Sequence, residues 1–141
     1  MYIIRKEFHF SAAHRLTGLP ENHPCSSVHG HNYIVTVELA SAKLDAVGFV
    51  TDYRALEPFK KFINDVLDHQ NLNDVFSFNP TAENMAKYIF TLFKVKFPQL
   101  SAVEVSETPK TNARYTSDYD DGIRLYLKGE CLENLIKNKN D

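Results

Sequence analysis

The chain has 141 residues, 43% hydrophobic and 12% aromatic, the size and composition of one globular domain spanning residues 1–141 with a core of its own. Sixteen Lys and Arg against eighteen Asp and Glu leave a formal net charge of -2, so neither nucleic acid nor a membrane surface is expected as a partner. Two cysteines, Cys25 and Cys131, are too few for a disulfide framework; with no secretory pattern in Met1–Phe10 and no membrane-length apolar run, both are expected as reduced thiols in the cytoplasm.

Residues 2–10 put Ile4, Phe8 and Phe10 on one side of a period-two pattern and Arg5, Glu7 and His9 on the other, which predicts a first strand. From Ser11 to Val28 that pattern stops, and Gly18, Pro20, Asn22 and Pro24 predict a long loop of the kind that carries function. Tyr33, Val35, Val37 and Leu39 alternate with Ile34, Thr36 and Glu38, so residues 31–40 form a second strand, antiparallel to the first.

After a turn near Gly48, Thr51 or Asp52 can cap a helix that carries Leu56, Phe59, Ile63, Val66 and Leu67. Pro58 interrupts it, so either the first turn is irregular or the helix begins later than Asp52. Thr81 is the expected N-cap of a second helix with an apolar stripe of Ala82, Met85, Ile89, Leu92 and Phe93, stopped by Pro98. Ala102–Thr108 reads as a third strand. Arg114–Ser117 with Ile123–Leu127 reads as a fourth element broken at residues 120–122, and the polar end from Lys137 is expected to fray. The order ββααββ predicts a two-layer α+β fold, a four-stranded antiparallel sheet with both helices on one face.

The chemistry is concentrated in His14, Cys25, His29 and His31. Residues two apart on a strand face the same way, so His29 and His31 aim at one point, with Gly30 between them letting backbone pass closely. His14, just past the first strand, completes a set of three nitrogens if the two strands are neighbours. Zinc with three protein nitrogens and a free fourth position is the arrangement of a reactive site; Cys25 as fourth ligand would instead close it into a structural one, and spacing leaves both open.

Asp68-His69 follows the first helix, where the pair can serve proton transfer or simply terminate the helix against its dipole. Glu107, at the end of the third strand, can accept paired N–H donors from a ligand or remain a solvated carboxylate.

These blocks, Ala-Ala-His14-Arg-Leu, Cys25-Ser-Ser-Val-His29-Gly-His31, Leu-Asp68-His69, Pro-Thr81-Ala-Glu83 and Glu107-Thr108, resemble the 6-pyruvoyltetrahydropterin synthase family from about Phe8 to Thr108. The three residues between Cys25 and His29 resemble its bacterial branch, which forms a carboxylated pterin on the way to the queuosine base. The resemblance implies zinc on His14, His29 and His31, Cys25 as general base, and Asp68 and His69 assisting proton transfer. It further implies Glu107 anchoring the pterin ring near Thr81 and Thr108, and 7,8-dihydroneopterin triphosphate as substrate. It also implies the tunnelling fold, in which trimers close their sheets into a barrel and stack as a homohexamer with sites between subunits. A pyruvoyl-pterin product, or a zinc- or pterin-binding module without activity, stays open. Arg5, Lys6, Arg15 and Lys110 are equal candidates for the triphosphate, and no motif after Thr108 is assigned.

Overall fold

The computed structural model of the protein describes residues 1–116. It contains the strands β1 (Tyr2–His14), β2 (His29–Ser41), β3 (Leu100–Thr108) and β4 (Thr111–Tyr115), all neighbours antiparallel in the order β1-β2-β3-β4. The helical segments are α1 (Glu57–Phe62), α2 (Leu72–Val75) and α3 (Ala82–Lys94). The α+β class and the single covered sheet face are as the sequence predicts. The expected strand at Ile123–Leu127, the frayed end and Cys131 lie outside the described residues.

Phe8, Phe10 and Ala12 of β1, Tyr33, Val35, Val37 and Leu39 of β2, and Val103 and Val105 of β3 share the face that the helices cover. Phe59 and Ile63 pack over β1 while Met85, Ile89 and Phe93 of α3 pack over β3 and β4, forming one core. The other face is polar. There Arg5 and Arg114 neutralise Glu104 and Glu38, with contacts of 2.6 Å for Arg5–Glu104 and 2.7 Å for Arg114–Glu38.

The first helix resolves its own ambiguity in both ways at once. Asp52 caps a 3-10 turn, Tyr53–Leu56, and the α-helix starts only at Glu57, so Pro58 falls in its first turn where its missing N–H is harmless. The helix then widens into a π turn, Ile63–Leu67, closed by Asp68 N–H donating to Ile63 O at 2.9 Å. This spacing keeps Phe59, Ile63 and Leu67 all in the core and delivers Asp68 at the exit. Thr81 caps α3 as predicted, its hydroxyl accepting Asn84 N–H at 3.1 Å.

Strand boundaries differ from the sequence reading: β2 begins at His29 instead of residue 31, β3 at Leu100 instead of Ala102 and β4 at Thr111 instead of Arg114. β1 continues through Ser11–His14 instead of ending at Phe10, so His14 is its last residue and not a loop residue. The extension is held on one side by β2 and on the other by residues 69–71: His69 N–H donates to Ser11 O at 2.7 Å and Ala13 N–H to Gln70 O at 3.0 Å. Among the described residues no helix is long and apolar enough to cross a membrane.

Candidate metal centre

The register of β1 and β2 builds the site. His14 lies directly opposite His29, and His31 opposite Ala12, so all three imidazoles stand on the covered face at one end of the sheet, next to Tyr33. Their ring centroids are 4.6 to 5.1 Å apart, each pair edge to face, and one nitrogen from each ring lies within 4.8 Å of the others.

The rings are oriented by backbone. His14 Nδ1 donates to Pro80 O at 2.8 Å and His29 Nδ1 to Ser27 O at 2.8 Å, since a carbonyl can only accept. The two Nε2 atoms, left free of those backbone bonds, stand 3.1 Å apart. Two nitrogens of a tetrahedral shell at about 2.0–2.1 Å from zinc are about 3.3 Å apart, close to that spacing. His31 Nε2 is enclosed and has no hydrogen-bond partner among the described residues. Burial lowers the pKa of His31; Glu107 opposes the shift, and His14 and His29 add to it. The donor set fits a metal ion: three imidazoles whose nitrogens converge, one of them orphaned.

Cys25 and Glu107 are not part of that cluster. Glu107, two residues beyond Val105 on the same face of β3, brings its carboxylate to 3.7 Å from His31 Nε2 and 3.9 Å from His14 Nε2. Cys25 sits in a 3-10 turn, Pro24–Ser26, half-buried, with its N–H donated to His23 Nδ1 at 3.1 Å and its carbonyl accepting Leu16 N–H at 2.8 Å.

Asp68 and His69 are elsewhere. Asp68 Oδ2 is 2.9 Å from His69 Nδ1, and His69, in the left-handed region at φ 59°, exposes its ring beside a shallow cleft lined by Ser11, Ala12, Ala13, Gly30, His31 and Asn32. His31, a member of the triad, thus also lines this cleft, which runs along the edge of β1 where residues 69–71 pair with Ser11 and Ala13. Gly30 belongs to that cleft. The close backbone passage expected of it is not found, because a Cβ there would meet only Ala12 O at an ordinary 3.6 Å.

Thr81 adjoins Pro80, and Thr108 adjoins Glu107, with its hydroxyl 3.2 Å from that of Thr111. Of the four cations considered for phosphate, Arg5 is paired with Glu104 and Lys6 Nζ lies over the Phe8 ring, 5.8 Å from its centre. Sequence reasoning missed Tyr33 as a member of the site. Its phenol is fully enclosed and unpartnered among the described residues, and burial, with the Glu107 charge, raises its pKa and keeps it neutral. Position alone could have found it, two residues past His31 on the same strand face.

Fold and site define a small α+β protein with a three-imidazole centre able to hold a metal ion. The model of the family described as 6-pyruvoyl tetrahydropterin synthase matches residues 3–118. The chain belongs to that family. It is 38% identical over 125 residues to a 6-carboxy-5,6,7,8-tetrahydropterin synthase of Synechocystis, covering 83% of this chain and 95% of that protein. A protein of the same name from Bacillus subtilis is 33% identical, covering 79% and 83%. Among solved structures, the Caenorhabditis elegans 6-pyruvoyl tetrahydropterin synthase superposes with a TM-score of 0.73 at 30% identity, covering 83% of this chain and 96% of that one.

Proposed function

We propose that the chain is a zinc-dependent 6-carboxy-5,6,7,8-tetrahydropterin synthase of the cytoplasm. It takes 7,8-dihydroneopterin triphosphate and water to 6-carboxytetrahydropterin, acetaldehyde and triphosphate, on the route to the queuosine base. The observation that carries the reading is the convergence of the His14, His29 and His31 nitrogens beside the Glu107 carboxylate, in a chain whose relatives bear that name.

Zinc, when bound by the three imidazoles, polarises the hydroxyls of the substrate side chain and stabilises negative charge on their oxygens. Glu107 accepts hydrogen bonds from the amino group and ring N–H of the pterin, two donors that match its two oxygens. The Cys25 sulfur removes the first proton from the side chain, outside the ligand set. His69 returns protons through Nε2, because Asp68 holds its Nδ1–H.

The Asp68-His69 pair lies along the edge of β1, outside the ligand set, and an edge strand invites a neighbouring copy to complete the site. This supports an oligomer with shared sites, and a hexamer of two stacked trimers in which the edges of β1 and β4 find partners.

Incubating the purified protein with 7,8-dihydroneopterin triphosphate tests the reading. Mass spectrometry should find 6-carboxytetrahydropterin with one acetaldehyde per triphosphate. The likeness to the Caenorhabditis elegans enzyme supports a second reading, a pyruvoyl product with the carbon chain intact, and triphosphate without acetaldehyde would establish it. A substrate left unchanged by the zinc-loaded protein defeats both.

A further inference from the structure

Between the metal ligand His14 and the turn that carries Cys25 the backbone leaves the sheet, and nothing in its side chains explains why it holds a fixed course. Arg15 and Thr17 are exposed, and Leu16 is only half-buried. What fixes it are two side-chain amides. Asn73 Oδ1 accepts Arg15 N–H at 2.8 Å while its Nδ2 donates to Arg15 O at 2.9 Å. Two residues on, Asn79 repeats the pattern, with Oδ1 accepting Thr17 N–H at 3.0 Å and Nδ2 donating to Thr17 O at 3.2 Å.

Each amide thus supplies the donor and acceptor that a neighbouring strand would have supplied, and β1 is extended as a single pinned thread. Both asparagines are themselves anchored. Asn73 is in α2, its own N–H capped by Asn71 Oδ1 at 3.1 Å, and Asn79 offers its carbonyl to Asn84 Nδ2 at 2.9 Å. Asn79 also precedes Pro80, whose carbonyl orients His14.

The residue between the two clamps, Leu16, carries the connection onward, donating its N–H to the Cys25 carbonyl at 2.8 Å. A continuous chain of hydrogen bonds therefore runs from α2 and the α3 entrance, through Arg15 and Thr17, to the main chain of Cys25. We infer that Asn73 and Asn79 are positioning residues that set the placement of the Cys25 sulfur relative to the three-histidine centre. The inference rests on the reading of Cys25 as the base; neither asparagine touches substrate.

A sulfur misplaced by about 1 Å loses about a hundredfold in rate. The test compares Asn73→Ala, Asn79→Ala and the double variant with wild type, all zinc-loaded. Four quantities are read: kcat, KM, bound zinc, and the rate at which iodoacetamide modifies Cys25, resolved by peptide mass spectrometry so that Cys131 does not contribute. The expected result is a kcat lower by about tenfold in each single variant, with KM and zinc content within twofold and a Cys25 alkylation rate altered at least threefold.

A purely structural loosening would move zinc content and leave the alkylation rate where it was. Unchanged kcat and alkylation in both single variants overturn the inference, and so does a fall in kcat with Cys25 reactivity unaltered. If the double variant does not fold, the single variants, each keeping one clamp, decide. Cys25→Ala is the control for the underlying reading. Should it turn over normally, Cys25 is not the base, while the alkylation rates still report whether the asparagines place it.

Discussion

Asp68 reaches across the sequence to Ser11, its Oδ1 accepting the Ser11 main-chain N–H at 2.9 Å. That bond, aided by His69, holds the Asp68 carboxyl below the usual aspartate range. A carboxyl with a depressed folded pKa stabilises the fold fully above its unfolded value of about 3.9, and the contribution is lost as pH falls through the folded value. Wild type should therefore melt higher than Asp68→Asn near pH 6, and the gap should close as pH drops below about 3.9. Thermal melts of both proteins across that range check it, and a gap that widens in acid contradicts it.

Removing the His29 imidazole should weaken metal binding without unfolding the chain, because His29, unlike the fully buried His14, is only half-buried and stands outside the core. His29→Ala is expected to bind zinc at least about 100-fold more weakly, more than the loss of an outer hydrogen bond to a ligand. Elemental analysis after dialysis reads the loss, and an unchanged far-ultraviolet dichroism spectrum shows that the fold survives.

Cys25→Ala should keep its zinc, since Cys25 stands outside the three-nitrogen set. Turnover should drop by about 10²–10⁴-fold, the range of a positioned proton acceptor. Metal content and steady-state rate on one preparation suffice, and loss of zinc together with activity would make Cys25 a ligand instead.

Glu107→Gln replaces one of two acceptors by a donor and removes the charge. A hydrogen bond to a charged acceptor contributes about 1.5–3 kcal/mol, so kcat/KM should fall by about 10- to 150-fold at unchanged zinc content. Steady-state kinetics would overturn the anchoring role if the efficiency moved less than twofold.

Phe59 is fully enclosed, its ring 4.1 Å from that of Phe93 and 4.9 Å from that of Phe97 between centroids. Phe59→Ala should lower stability by about 3–5 kcal/mol, read as a shifted denaturant midpoint with an unchanged slope. A smaller loss would mean that the aromatic cluster collapses into the space.

What the sequence made legible were features written in side chains. Period-two alternation in β1 and β2, the Thr81 cap and the stripe of α3 were all visible, and so was the three-histidine set, because strand geometry converts His-Gly-His into two rings on one face. The rest is written in main-chain bonding. β1 runs on to His14 because residues 69–71 and β2 flank it, although Ala-Ala-His followed by turn residues carries no strand signal. The short α2 hides for the same reason, as do the Asn73 and Asn79 clamps: asparagines four and ten residues past a Leu-Asp-His block look like any turn formers. The placement of Asp68-His69 beside the edge of β1 follows from pairing, which spacing alone does not encode.

The wide turn at Ile63–Leu67 makes chain length itself a functional quantity. Because each residue of an ordinary helix advances the direction of its side chain by about 100°, a position added to the regular turn before it would swing Asp68 and His69 about a quarter-turn off their bearing, whereas the wide turn has already absorbed one residue more than a regular turn holds. The segment can exchange one apolar residue for another of like volume with little consequence, while an added residue would shift where the chain leaves the helix toward β1.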